Sequence, residues 1–228
     1  MAVEQVSPHR PGPLSVVPQE KAPIEISTRE VNTPGRDTLD IFTHDENHFL
    51  VVSPYGEREH LLDLRSLDAE NALLARALAG MTCLRPDYAT APYIDIFNWQ
   101  EIIEELARLA QQHGHQWKET SFFVVAFRSQ IPPTTVYEDL GVLDKAAHAE
   151  ATASGGFLKY WFGSPDKDGR NLATCLWKSQ EHAIKGGVGP AHRKAAGAAR
   201  SLYSHWKIDR HRLIIRDDVR SWDIIDWE

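Results

Sequence analysis

Ser121-Phe-Phe-Val-Val-Ala-Phe127 is the stretch that decides the fold of this chain, and the rest is read outward from it. Phenylalanine and valine fill five of its seven positions, which suits a pleated, half-buried surface and predicts a strand. Val136 to Ser154 follows with Val136, Leu140, Leu143 and Ala147 at helical spacing, and Gly155-Gly156 supplies the stop. Phe157 to Phe162 and Asn171 to Trp177 read as a hairpin around the polar turn Ser164-Pro-Asp-Lys-Asp-Gly169. Pro190 to Tyr203 reads as a helix with proline in its first turn, where the missing N–H costs little. Lys207 to Arg216 reads as a closing strand. The order β-α-β-β-α-β predicts a four-stranded antiparallel sheet with both helices on one face. The opposite face then needs cover from a second subunit, another part of the chain or a ligand.

Upstream, residues 1–36 hold six of the 13 prolines and few large apolar side chains, so they read as a flexible or surface-draped arm. Within the arm, Ile24-Glu25-Ile26 is able to pair with an open strand edge. Residues 37–118 read as an additional N-terminal α+β portion. Its strands are expected at Leu39 to Phe42 and Phe49 to Val52, flanking the polar turn Thr43 to His48, and at Leu61 to Leu64. Asp68 to Ala79 and Trp99 to Gln112 carry apolar stripes at helical spacing. Between them lie an irregular segment, Arg85 to Tyr93, and a strand-like Ile94 to Phe97. Residues 119–228 make the C-terminal portion.

The composition is that of an ordinary globular chain: 228 residues, 42% hydrophobic and 25% charged. With 25 basic against 32 acidic side chains the net charge is −7, and the pI near 5.9 argues against a dedicated nucleic-acid binder. The apolar runs fall far short of the ~20 residues that span a bilayer, so no membrane partner is expected. Two cysteines, Cys83 and Cys175, make no disulfide framework, and the first residues show no basic region followed by an apolar run. A cytoplasmic location is the expectation.

Among chemistry-bearing residues, His182 and His192 are the strongest pair. His192 falls in the first turn of the helix begun by Pro190, where the positive end of the dipole favours neutral imidazole, the form a general base needs. It shares a helical stripe with Ala196, Ala199 and Tyr203. Tyr160 and Trp161 are adjacent on a strand and point to opposite faces, and a regular hairpin puts Tyr160 beside Ala173 and Cys175. Arg85, Asp87, Tyr88 and Tyr93 crowd one loop, where a tyrosine hydroxyl held by Arg or Asp can donate to a developing oxyanion. His44-Asp-Glu-Asn-His48 lacks the placement of a helical zinc motif, and Gly186-Gly-Val-Gly189 lacks dinucleotide spacing, so neither metal nor organic cofactor is expected. Arg193 to Arg216 is locally basic and reads first as a solvated face.

The strand Phe122–Phe127, the pair Tyr160-Trp161, the segment Trp177 to His182 and Pro190-Ala-His192 together resemble the dimeric α/β-barrel superfamily over about residues 119–216. Arg85-Pro-Asp-Tyr-Ala-Thr90 and Phe97-Asn-Trp99 make the whole chain resemble an uncharacterised fungal family. The strand and helix order is the ferredoxin-like α+β arrangement, and its open sheet face predicts a homodimer or larger assembly. The superfamily resemblance implies an apolar pocket between the sheet face and its helices, or between two sheets, with acid–base side chains at its mouth. The expected activity is that of a cofactor-independent cyclase or isomerase of secondary metabolism. Its substrate would be a small aromatic or polyketide-type compound, as in chalcone-like ring closure. His192, His182 and Tyr160 are the candidate catalytic residues; Arg85, Tyr88, Tyr93, Trp161 and Trp177 are the candidate substrate contacts. A cofactor-free monooxygenase and a non-catalytic small-ligand-binding dimer are the alternatives.

Overall fold

The computed structural model describes residues 48–228. The arm expected at 1–36, the strand at 39–42 and most of the turn at 43–48 lie outside the described residues. Strand β1 (Phe49–Val51) pairs antiparallel with β2 (Leu61–Asp63), and helices α1 (Ala69–Leu78) and α2 (Trp99–Gln112) follow. Asp68 caps α1 by accepting from the Asn71 N–H at 3.1 Å, as an Asx residue before an apolar run does.

The remaining elements are β3 (Thr120–Gln130), α3 (Tyr137–Ser154), β4 (Phe157–Phe162), β5 (Arg170–Trp177), α4 (Gln180–Gly187), α5 (Pro190–Leu202), β6 (His205–Ile215) and β7 (Trp222–Asp226). The five strands form one antiparallel sheet in the order β4-β5-β3-β6-β7. Without β7 the order is that of the ferredoxin-like split βαβ sheet, with β3 at its centre. One expectation needs correction, and two elements come in addition to those expected. Ile94–Phe97 is not a strand: Tyr93–Asp95 forms a 3-10 turn and only Cys83 and Phe97 bridge. Residues 180–187 form a helix of their own, capped by Ser179. Beyond the expected last strand, a turn with Asp218 and Val219 at positive φ returns the chain as β7.

The two faces of the sheet are dressed differently. On one, Phe122, Val124, Ala126, Leu172, Leu176, Leu213 and Ile215 are all buried, each of them except Ala126 contributing ~1.5–3 kcal/mol. Their cover is the chain's own N-terminal portion, α1, α2 and the segment between them. Tyr93 stacks on His211 with ring centroids 4.8 Å apart and shares a 2.8 Å hydrogen bond with Thr174 Oγ1. Arg128 rises from β3 to pin the overlying loop, donating to the carbonyls of Tyr88, Ala89 and Ala91 and to Asp209. Of the three covers open from the sequence, this face is closed by another part of the chain. At the outer side of β4, the Tyr160 N–H donates to the Val52 carbonyl at 2.8 Å, so this edge is not left open.

On the other face lie α3, α4 and α5, where His148 sets its edge against Phe157 and Gly186 lies against Trp177. The helices fit loosely. From α3 only His148 and Ala151 are buried, and from α5 only Ala199, while Val125, Phe127, Ala173 and Cys175 beneath remain half-buried. A groove with apolar walls therefore runs between helices and sheet.

Candidate active site

The groove closes on a carboxyl. Asp144 points from the middle of α3 toward the sheet, Tyr160 Oη donates to its Oδ1, and Tyr55 Oη donates to its Oδ2 at 2.5 Å. Residues 144 and 148 are one turn apart, so His148 lies beside it, its Nδ1 2.9 Å from Nδ1 of His60. His148 is 4% exposed and His60 1%. The Tyr55 ring lies 4.9 Å from His60 and 5.2 Å from His148, and Phe162 completes the aromatic wall.

Electrostatics follow from burial. Asp144 is pushed above the usual carboxylate range by loss of water, which the two tyrosine hydroxyls offset only in part. Tyr160 and Tyr55 are both raised, first by burial and then by the charge of Asp144, so they are donors and not bases. Burial and the neighbouring His60 hold His148 down to about 3, which makes it neutral. Tyr203, at the end of α5, is pushed up to about 12 by burial and then by Asp144, and Tyr137 stands 43% exposed at the start of α3. Burial pushes the Cys175 thiol up to about 12 and leaves it unreactive; Trp177 Nε1 donates to its sulfur at 3.0 Å.

The residues picked out in the sequence separate. Tyr160 is in the groove, and the expected hairpin register holds, with Tyr160 opposite Cys175 and Phe162 opposite Ala173. The space beside its phenol is filled by Asp144. His192 is half-buried at the start of α5, its Nδ1 2.8 Å from Glu150, which also accepts from the Ala191 and His192 N–H groups. A carboxylate thus sits on the helix N-terminus, so the dipole is not the only field at that imidazole. His182 contacts a different partner, Ser179 Oγ at 2.8 Å, and packs on Gly156. Trp177 is buried under α4 against Phe157.

The other candidate contacts are elsewhere. Trp161 is on the covered face, edge-on to Phe97 and Tyr88. Tyr93 is in the core of that face, and Tyr88 donates to the Ser164 carbonyl. Arg85 forms a two-point ion pair with Asp87 at the surface. These four do not line the groove with Tyr160. Asp144, Tyr55, His60, His148 and Glu150 were not singled out in the sequence. Their available signal was the polar set Asp144, His148 and Thr152, which recurs once per turn along α3.

Fold and site together define a ferredoxin-like α+β protein with a half-buried carboxyl–tyrosine cluster beneath its helices. The PB2B2.08-like family model matches residues 51–226, and the chain belongs to that family. It is 38% identical to the UPF0643 protein PB2B2.08 of Schizosaccharomyces pombe over 192 residues, 80% of this chain and 86% of that protein. Among solved structures it is similar to a variant of SnoaB, a cofactor-independent oxygenase from Streptomyces nogalater. That likeness has 16% identity and a TM-score of 0.35, covering 39% of this chain and 89% of the other. A conserved protein from Methanosarcina mazei is similar to the same extent, at 14% identity and TM-score 0.35, covering 40% of this chain and 90% of the other. No helix among the described residues is long and apolar enough to cross a membrane.

Proposed function

We propose that the chain is a cofactor-independent cyclase or isomerase that moves a proton on a small aromatic or polyketide-type substrate in the helix–sheet groove. The observation that carries this reading is the Asp144 carboxyl, half-buried, raised in pKa and fed by two tyrosine hydroxyls. A carboxyl shifted toward neutrality is suited to take and return a proton, and a phenol that stays protonated is suited to donate to an enolate oxygen. In the proposed cycle a substrate oxygen displaces Asp144 as acceptor of the Tyr160 hydroxyl. Asp144 removes the proton next to the substrate carbonyl, the C–H electron pair delocalises onto that oxygen, and Tyr160 holds the enolate. Ring closure or double-bond shift follows, and the proton returns from Asp144. His192, backed by Glu150, exchanges protons with solvent at the rim; His182 stays a helix-cap partner. Homodimerisation belongs to the same reading only through a surface other than the covered face.

The test is turnover of Asp144→Asn and Tyr160→Phe on a panel of phenolic enones and linear polyketide-like diketones, with dissolved oxygen recorded alongside. Each substitution is expected to lower kcat by roughly 10²–10⁴ and to leave KM nearly unchanged. Unaltered turnover in both variants overturns the reading. Oxygen consumed in step with product assigns an oxygenase, and saturable binding without any product assigns a ligand-binding protein.

A further inference from the structure

The exposed side of α4 and α5 carries a charge opposite to that of the rest of the chain. Residues 180–202 hold four basic side chains against Glu181 alone, in a protein whose net charge is −7. Arg193 and Arg200 lie two turns apart on α5 with Lys194 beside them, all three exposed, and Lys185 is exposed on α4. None of the four takes part in an ion pair among the described residues. Arg193 Nη1 donates to the Val188 carbonyl at 2.5 Å and so ties the basic stripe to the end of α4. There Ile184 and Val188, one turn apart, are 58% and 56% exposed.

A glycine interrupts the stripe. Gly197 lies between Arg193 and Arg200 in the middle of α5, exposed, and a Cβ there would meet nothing within 4 Å. Glycine inside a helix costs stability relative to alanine, and no contact among the described residues explains it here. The open notch lets another backbone come close. We infer that this face docks an acidic amphipathic helix of another protein. Its carboxylates reach Arg193, Lys194 and Arg200, its apolar ridge covers Ile184 and Val188, and its backbone passes over Gly197. The acidic remainder of the chain repels such a partner elsewhere and so fixes where it lands. An anionic bilayer is the poorer match: two aliphatic side chains offer little to insert, and its headgroups repel that acidic remainder.

The test is fluorescence anisotropy of a fluorescein-labelled helical peptide, three copies of Glu-Leu-Glu-Ala-Leu-Gln-Ala, titrated with the full-length chain. The comparator peptide has lysine at each glutamate. The acidic peptide is expected to bind about tenfold tighter than the comparator. Arg193→Glu with Arg200→Glu is expected to weaken it about tenfold. Lys118→Glu with Lys167→Glu, an equal change of charge at two exposed sites outside the helices, is expected to leave it within roughly twofold. Gly197→Gln is expected to raise the melting temperature and yet to weaken the peptide several-fold, a pairing that a merely solvated face would not give. Tyr160→Phe is expected to bind as the parent does, which separates this face from the proposed activity, and melting curves of every variant confirm folding. Equal binding of the two peptides, equal losses in the two double variants, or full affinity in Gly197→Gln overturns the inference. Retention on phosphatidylserine vesicles that Arg193→Glu with Arg200→Glu alone abolishes assigns the face to a membrane and overturns it as well.

Discussion

At Lys159 the chain places an amine on the covered face with 7% of the residue exposed, and no hydrogen bond or ion pair reaches it among the described residues. Burial pushes its pKa down to about 8 from an ordinary 10.5. Between those values the unfolded chain binds more protons than the native one, so stability climbs with pH across that window, and at neutral pH the native state carries the full cost. Lys159→Met keeps the stem and removes the charge; urea unfolding at pH 7 is expected to show a gain of ~1–3 kcal/mol, and the climb above pH 8 is expected to vanish. A lower midpoint than the parent contradicts this. His148, held at about 3 against an ordinary 6.5, acts in the acid range. It lends stability that is complete above 6.5 and is lost as pH falls toward 3, with a slope of up to ~1.4 kcal/mol per pH unit. Asp144, raised by burial, runs the other way over the carboxylate range, while His113 and His211, both lowered by burial, act in the same sense as His148. Melting temperatures of His148→Leu between pH 6.5 and 5 are expected to fall less steeply than the parent's, and an unchanged slope contradicts the assignment.

The join between α3 and β4 shows how tightly local geometry is set. Gly155 and Gly156 both have positive φ, at 88° and 72°, but only at Gly156 would a Cβ overlap the His182 ring. Gly156→Ala is therefore expected to cost ~1–3 kcal/mol and Gly155→Ala less, as thermal unfolding of the two variants will read; equal losses would remove His182 as the reason. That double-glycine stop, Pro190 in the first turn of α5, and the β3, β4 and β5 strands were legible because each rests on a local rule of backbone or period. The inward stripe of α3 was not. Apolar spacing selects Val136, Leu140, Leu143 and Ala147, yet Val136 is 56% exposed and the residues turned to the sheet are Asp144, His148 and Ala151. Hydrophobic periodicity finds the helix but not its inward face when that face is polar. Likewise α4 and β7 are short and take their stability from packing, on Trp177 for α4 and on the pairing with β6 for β7. Tyr160 was recognisable from its strand; its partner Asp144, 16 residues away, belonged to tertiary structure alone.

For the molecule as a whole, the N-terminal portion and the sheet share one core, and neither is complete without the other. A fragment of residues 119–228 is expected to expose Phe122, Val124, Leu172, Leu176, Leu213 and Ile215 together and to self-associate or precipitate, whereas the full chain keeps that face dry. Sedimentation velocity of both species checks this, and a folded, monomeric fragment would falsify it. The two rims of the sheet differ as well. The hydrogen bond from Tyr160 to Val52 occupies the β4 side, while β7 presents its outer backbone beside the carboxylates of Asp223 and Asp226. Charge is what deters a neighbouring molecule from adding a strand there. Asparagine in place of both aspartates removes the deterrent, so in that variant cross-β fibril growth would begin from the Trp222–Asp226 rim and spread in one direction only.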